Sequence, residues 1–342
     1  MEIEKNTLSP KLPVPFDSGL LYTVVALYYV YVSKYIIGMN IALEFRLIIS
    51  QVVFLAATPL ILAVIRGYDI KKTFRLKAPR PLEAVIMLVM SPVMIVAGFC
   101  AGFIALLAVK SAFGRVYLEG DITDLMTRNL PIAILLVAVL PAVCEELLFR
   151  GMIQKGLEKL GAGWSVFLSG ILFGLFHFDF QRLAAQTIIG ILSAYVVYRT
   201  ESIFNGMILH FMNNGLLTLL SNYTVKFQGE GTQVVTDPFA TPEFLQMAEE
   251  SGLSLEQFLG MMAGILTVLL AISGGVLIGL VMVVKSITKD KVEKPEKVKG
   301  SAKGLLMGVP GILMIGIVYT ALALTLLDNE LGKSILRFMG IL

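Results

Sequence analysis

Pro141-Ala142-Val143-Cys144-Glu145-Glu146-Leu147-Leu148-Phe149-Arg150 lies mid-chain, inside an apolar run that begins near Leu130. A charge at the centre of a membrane-spanning helix costs ~2.5–3.5 kcal/mol on insertion scales, so two adjacent carboxylates and a guanidinium there need a reason. The only two histidines of the chain, His177 and His210, also fall inside apolar runs, both further along. These residues are read as meeting in one site, which the remaining helices hold in the membrane.

The surroundings of that stretch set the fold class. Of 342 residues, 56% are hydrophobic and 15% charged, and mean hydropathy is +0.81. A soluble domain of this size would have to expose that surface to water. Repeated runs of about 20 apolar residues predict an all-α, polytopic transmembrane bundle of about eight or nine spans with its active-site cavity within the membrane. Period-two alternation is absent, which argues against a barrel, and lipid offers backbone groups no other partners. Cys100 and Cys144 both lie in apolar runs and read as small buried hydrophobes, giving no disulfide framework.

Taken in order, residues 1–129 are a polar leader and three accessory spans, Gly19–Gly38, Phe45–Ile65 and Leu82–Val109. The first run is too long for the apolar part of a signal peptide and lacks a small-residue cleavage site. Pro59 and Pro92 are expected to kink or bend the second and third. Residues 130–222 form a core of four spans, starting near Leu130, Gly163, Leu183 and Ile203. Residues 223–258 are an acidic extracytoplasmic loop. In this region Thr241-Pro242-Glu243 and Ser254-Leu255-Glu256-Gln257 read as helix starts, a capped proline and a capping box. Residues 259–342 hold two further spans and the basic loop 285–303, followed by a short amphipathic tail.

Basic loops collect on the cytoplasmic side. That rule places Arg66–Arg80 and Lys285–Lys303 together inside, with an even number of spans between them, and puts the N-terminus in the cytoplasm. The expected location is a multi-pass protein of a prokaryotic plasma membrane, a host reading that rests on the lack of long disordered tails.

Successive helical residues project about 100° apart, so Glu145 and Glu146 cannot point the same way. Glu146 and Arg150 are spaced to pair along the helix, acid before base. Glu145 is then the carboxylate left to face a cavity. His210 and Asn214 stack on one helical face, with Asn213 projecting elsewhere. A desolvated carboxylate is a general base for water, a histidine beside it can orient that water, and an imidazole with an amide can donate to an oxyanion. The same parts could hold zinc. They could equally be snorkelling charges and interhelical polar contacts.

Glu145-Glu146-x-x-x-Arg150, Phe173-x-x-x-His177 and His210-x-x-x-Asn214 resemble, in order and spacing, the three motifs of the CAAX prenyl endopeptidase and bacteriocin-processing (CPBP, Abi-type) intramembrane proteases. The resemblance covers about Leu130–Leu220. It implies that Glu145 activates water together with His177, that His210 and Asn214 stabilise the oxyanion, and that Glu146 and Arg150 support them. It leaves zinc open: the water mechanism needs no cofactor, and Glu145, His177 and His210 would be the ligands if a metal were used. The partners it implies are a peptide or membrane-protein substrate and the lipid bilayer, with no nucleic acid.

Other protease types fit less well, since the chain has no His-Glu-x-x-His pair and no Gly-x-Ser-x-Gly. Gly67-Tyr68-Asp69 lies in a basic loop rather than a span. Cys144 beside Glu145 could be imagined as a nucleophile, but apolar surroundings raise a thiol pKa. Two further functions stand beside proteolysis: a non-catalytic immunity or scaffold protein that binds a peptide on the same fold, and a proton-coupled transporter using Glu145 and the histidines as a relay. The transporter predicts paired broken helices in two related halves, and no such repeat is visible.

Overall fold

The computed structural model describes residues 10–39, 41–116, 129–179, 182–228, 237–292 and 295–340. Residues 117–128 between the third span and the core, the middle of the acidic loop and residues 180–181 after His177 lie outside them. Among the described residues the chain is helical throughout with no strand, and eight helices are long and apolar enough to cross a membrane. We label the helices α1 (Pro15–Ile37), α2 (Leu43–Arg66), α3 (Pro81–Phe113), α4 (Leu130–Leu160), α5 (Ala162–Leu175), α6 (Leu183–Thr200), α7 (Ile203–Gln228), α8 (Pro242–Glu250), α9 (Leu255–Ile287), α10 (Ser301–Leu326) and α11 (Glu330–Met339). Each apolar run read from the sequence is a helix. The fifth, α5, has only 14 residues and is the one run too short to count as a span by itself.

The helix carrying the two glutamates is the centre of the bundle. In α4, 56% of the apolar window is buried, against 17% in α9, whose surface is left to lipid. Met87, Met90 and Met94 of α3, Leu148, Phe149 and Met152 of α4, and Phe173 of α5 belong to one buried cluster.

Several spans are not plain α-helices, and one wide π turn lies at Tyr28–Val32 in α1. Wide π turns occupy Ile49–Ala57 in α2 and Leu135–Val139 in α4, each ending just ahead of a proline, Pro59 and Pro141. A proline has no N–H to return and its ring crowds the carbonyl four residues back, so a widened turn relieves both problems. A further π turn in α4, Leu147–Ile153, follows Glu146 directly, so the glutamate pair sits in an α-helical segment between two widened ones. By contrast α3 is one continuous helix through Pro92.

The two basic loops lie at the same end of the bundle. Arg80 pairs with Asp290 at 2.5 Å and Lys291 with Glu83 at 2.5 Å. Arg80 holds the exposed Asp290 carboxyl below its ordinary range through that hydrogen bond. The turn between α4 and α5 is at this end too, since Val298 N–H donates to the Lys159 carbonyl at 3.1 Å. At the other end Lys110 meets Asp237 at 2.5 Å, and Arg115 meets Asp328 at 2.8 Å. There α8 starts at Thr241, whose hydroxyl accepts from Phe244 N–H, and α9 starts on the Ser254–Gln257 capping box. Both starts are where the sequence put them.

Arg75 ties the basic end to the core. It is fully buried, takes a left-handed backbone (φ 48°), pairs with Glu158 and with Glu201 at 3.3 Å, and donates to the Arg150 carbonyl at 3.1 Å. Its own carbonyl accepts from Ile203 N–H at 3.1 Å. The start of α7 is therefore hung inside the protein, not at its rim.

Candidate active site

His177 stands just past the end of α5, and the end of that helix explains its position. The last four carbonyls of a helix have no partner within it. Here the Leu172 carbonyl, bonded to Phe176 N–H at 3.1 Å, also accepts from Tyr22 Oη at 3.1 Å, and the Phe173 carbonyl accepts from His177 Nδ1 at 2.9 Å. The Gly174 carbonyl accepts from His177 N–H at 3.3 Å and the Leu175 carbonyl from Tyr319 Oη at 3.3 Å. With its carbonyls satisfied, the helix can stop within the bundle. The chain then turns through Phe178, which has φ 53° and packs against Tyr29 and Phe176. A carbonyl can only accept, so the bond to Phe173 puts the ring proton on Nδ1 and leaves Nε2 as the basic nitrogen.

The depths of these residues agree. Counted from the turn that joins α4 to α5, Glu145 and His177 are equally far along their helices, roughly 22 Å at 1.5 Å per residue. His210 reaches the same level because α7 starts recessed at Arg75.

His210 lies between the two glutamates. Its Nδ1 is 3.1 Å from Glu146 Oε1 and its Nε2 is 3.9 Å from Glu145 Oε2. Glu146 and Arg150, both fully buried, pair at 3.1 Å as their spacing predicts, and Glu146 Oε2 also accepts from Ser193 at 3.0 Å. Arg150 continues to the Gly190 carbonyl at 3.2 Å and lies over the Phe173 ring at 4.3 Å. That ring stands edge-on to His177 at 4.8 Å and to His210 at 5.7 Å, so one phenylalanine braces both imidazoles. Glu146 is thus more than a partner for Arg150: it anchors His210, which the spacing alone did not show.

Helices must approach closely for these contacts. A Cβ at Gly206, one turn before His210, would come within 2.6 Å of Glu146 Oε2. A Cβ at Gly190 would meet the Gly170 carbonyl at 2.6 Å, so the contact between α5 and α6 depends on small residues, as membrane helix pairs often do.

Asn214 answers the gap left by Pro141. The Val137 carbonyl, four residues before that proline, accepts from Asn214 Nδ2 at 3.0 Å. Asn213 does not project away as expected; its Nδ2 donates to Asn214 Oδ1 at 2.9 Å and fixes the amide's orientation. One N–H of the Asn214 amide remains beyond these two bonds.

Two contributors escaped the sequence reading. Gln51 of α2 donates to Glu145 Oε1 at 3.1 Å, and Ser193 of α6 donates to Glu146. The signal for Gln51 was an amide side chain in an otherwise apolar run, the same reasoning applied to the charges of α4. Cys144 is buried with a free thiol.

The donor set for zinc does not close. Among the described residues no three His, Cys, Asp or Glu side chains are grouped to hold a metal ion. Glu145 and His210 approach each other, while His177 turns Nδ1 to a backbone carbonyl.

A membrane bundle with a buried glutamate–histidine–arginine cluster defines the class, a multi-pass membrane protein whose polar site lies inside the bundle. Comparison with known proteins agrees over that core. Residues 127–216, which include every motif residue from Glu145 to Asn214, match the family described as Type II CAAX prenyl endopeptidase Rce1-like. Over 91 residues the chain is 28% identical to the "Putative membrane peptidase YdiL" of Bacillus subtilis (strain 168), an alignment covering 26% of this chain and 37% of that relative. No solved structure matches the chain significantly. The resemblance read from the three motifs is borne out over this segment.

Proposed function

We propose that the chain is an intramembrane endopeptidase in which a glutamate and a histidine activate water. The observation that carries the reading is His210 held by Glu146 while it faces Glu145, inside a segment that matches a peptidase family. Glu145 Oε2 is buried without a hydrogen-bond partner, so it is the oxygen available to take a proton from water. Nε2 of His177 accepts the water's other O–H, and the water oxygen adds to the substrate carbonyl carbon. His210, protonated on both nitrogens, donates from Nε2 to the resulting oxyanion while Nδ1 stays on Glu146, and the remaining Asn214 N–H is the second donor. Collapse breaks the C–N bond, and Glu145 returns its proton to the leaving amine.

The substrate class is a peptide or a membrane-protein segment that reaches the site from the bilayer. No step in this sequence passes through a metal. Lipid is the solvent of the spans, and the basic end faces the cytoplasm by the positive-inside rule.

The test compares wild type with Glu145→Gln and His177→Ala in proteoliposomes, using a panel of membrane-anchored peptides. A general base contributes about 10²–10⁴-fold, so both variants should lose at least that much of kcat. Equal cleavage by all three proteins would refute the assignment.

A further inference from the structure

The carboxylate assigned as base is held by a residue outside the segment that matches the peptidase family. Gln51 lies on α2, within the π turn Ile49–Ala57, and its Nε2 donates to Glu145 Oε1 at 3.1 Å. This places an amide of an accessory span directly on the side chain at the centre of the chemistry. The family match begins at residue 127, so nothing in it accounts for this contact.

The surroundings aim that amide. A π turn is wider than an α turn and rotates the residues within it away from their α-helical positions. The same turn is fastened to α1 next to Gln51: Ser50 Oγ and Tyr28 Oη share a hydrogen bond of 2.5 Å, and Tyr28 stacks on Phe54 with ring centroids 3.4 Å apart. With α2 pinned on one side, Gln51 reaches α4 on the other. The result at Glu145 is asymmetric. Oε1 is taken up by Gln51, while Oε2 has no hydrogen-bond partner and lies 3.9 Å from His210 Nε2.

We infer that Gln51 is a positioning residue for hydrolysis: by fixing Oε1 it sets the carboxylate plane and leaves Oε2 as the single oxygen directed at water. The accessory spans thereby become part of the active site, and the matched core is incomplete without α2. This rests on the reading of Glu145 as the base. A carboxylate free to rotate about its last torsion would offer either oxygen in many directions, and a misplacement of about 1 Å at a reacting group can cost ~10²-fold in rate.

The experiment has two arms on the full-length protein. In the first, infrared spectra locate the carboxylate stretching band that disappears in Glu145→Gln. Gln51→Leu and Gln51→Met should both displace that band, because the donor on Oε1 is gone. Both replacements are apolar residues in an apolar run and keep membrane insertion. In the second arm, cleavage by the same variants should show kcat lowered about 10- to 100-fold with KM within about twofold, the split expected when orientation of a reacting group and not binding is lost. The pair Gln51→Leu/Glu145→Gln should be no slower than Glu145→Gln alone. An unmoved carboxylate band, or a change confined to KM, overturns the inference. If wild type cleaves nothing, the proteolytic reading fails and the infrared band still decides whether Gln51 holds Glu145.

Discussion

His177 and His210 each commit Nδ1 to a structural bond, which leaves Nε2 for the proposed chemistry. The bond is to a helix-end carbonyl in one case and to a buried carboxylate in the other. Glu146 therefore carries a double load, the orientation of His210 and the charge balance of Arg150. Glu146→Gln should lower kcat and also destabilise the protein by about 3–5 kcal/mol, the usual cost of leaving one member of a buried ion pair unpaired. A thermal shift measured beside the cleavage rate checks both effects. Gly206→Ala should act on the same carboxylate from α7, through overpacking of ~1–3 kcal/mol and a displaced His210. A Gly206→Ala protein with wild-type melting and kcat would show that α7 can back away without consequence. Cys144→Ala should keep its activity, because the buried thiol makes no contact in the proposed reaction; loss of cleavage would reopen the cysteine alternative.

At the scale of elements, the widened turns and the truncated α5 do what regular spans could not. The π turns ahead of Pro59 and Pro141 place Gln51 and the Val137 carbonyl within reach of α4 and α7 respectively. Replacing Pro141 by Ala restores an N–H in that part of α4, which can compete with Asn214 for the Val137 carbonyl. The expected outcome is a lower kcat with unchanged or higher melting temperature, separating a loss of Asn214 placement from a loss of fold. Hydropathy showed each apolar run, and capping chemistry showed the starts of α8 and α9, because both are properties of a few adjacent residues. The end of α5 was not visible in the same way. Beyond local backbone bonds, its end is held by Tyr22 and Tyr319, residues remote in sequence that reach the Leu172 and Leu175 carbonyls only after packing.

For the whole molecule, the pairing of Arg80 with Asp290 and Lys291 with Glu83 brings the two basic loops together at one end. The positive-inside rule makes the cytoplasm the proposed side for this end. Single cysteines at Lys289 and Glu249, introduced with Cys100 and Cys144 replaced, should label with an impermeant thiol reagent from opposite sides, Lys289→Cys only from the cytoplasm. Labelling of both from one side would contradict the arrangement of the bundle.

The sequence by itself determined the apolar runs, the common side of the basic loops, and which charged and imidazole side chains stand out inside those runs. Transfer of a segment into lipid is nearly a sum over its residues, so a linear reading captures it. Only the tertiary structure decided which partner each polar group takes. His210 meets Glu146 across 64 positions and Gln51 meets Glu145 across 94. Such pairings depend on how far each helix slides and rotates against its neighbours, which is set by glycine contacts, wide turns and a recessed helix start distributed over the whole bundle. The glutamate pair of α4 was legible as charge out of place; that one carboxylate holds a histidine while the other is held by a glutamine was settled by packing.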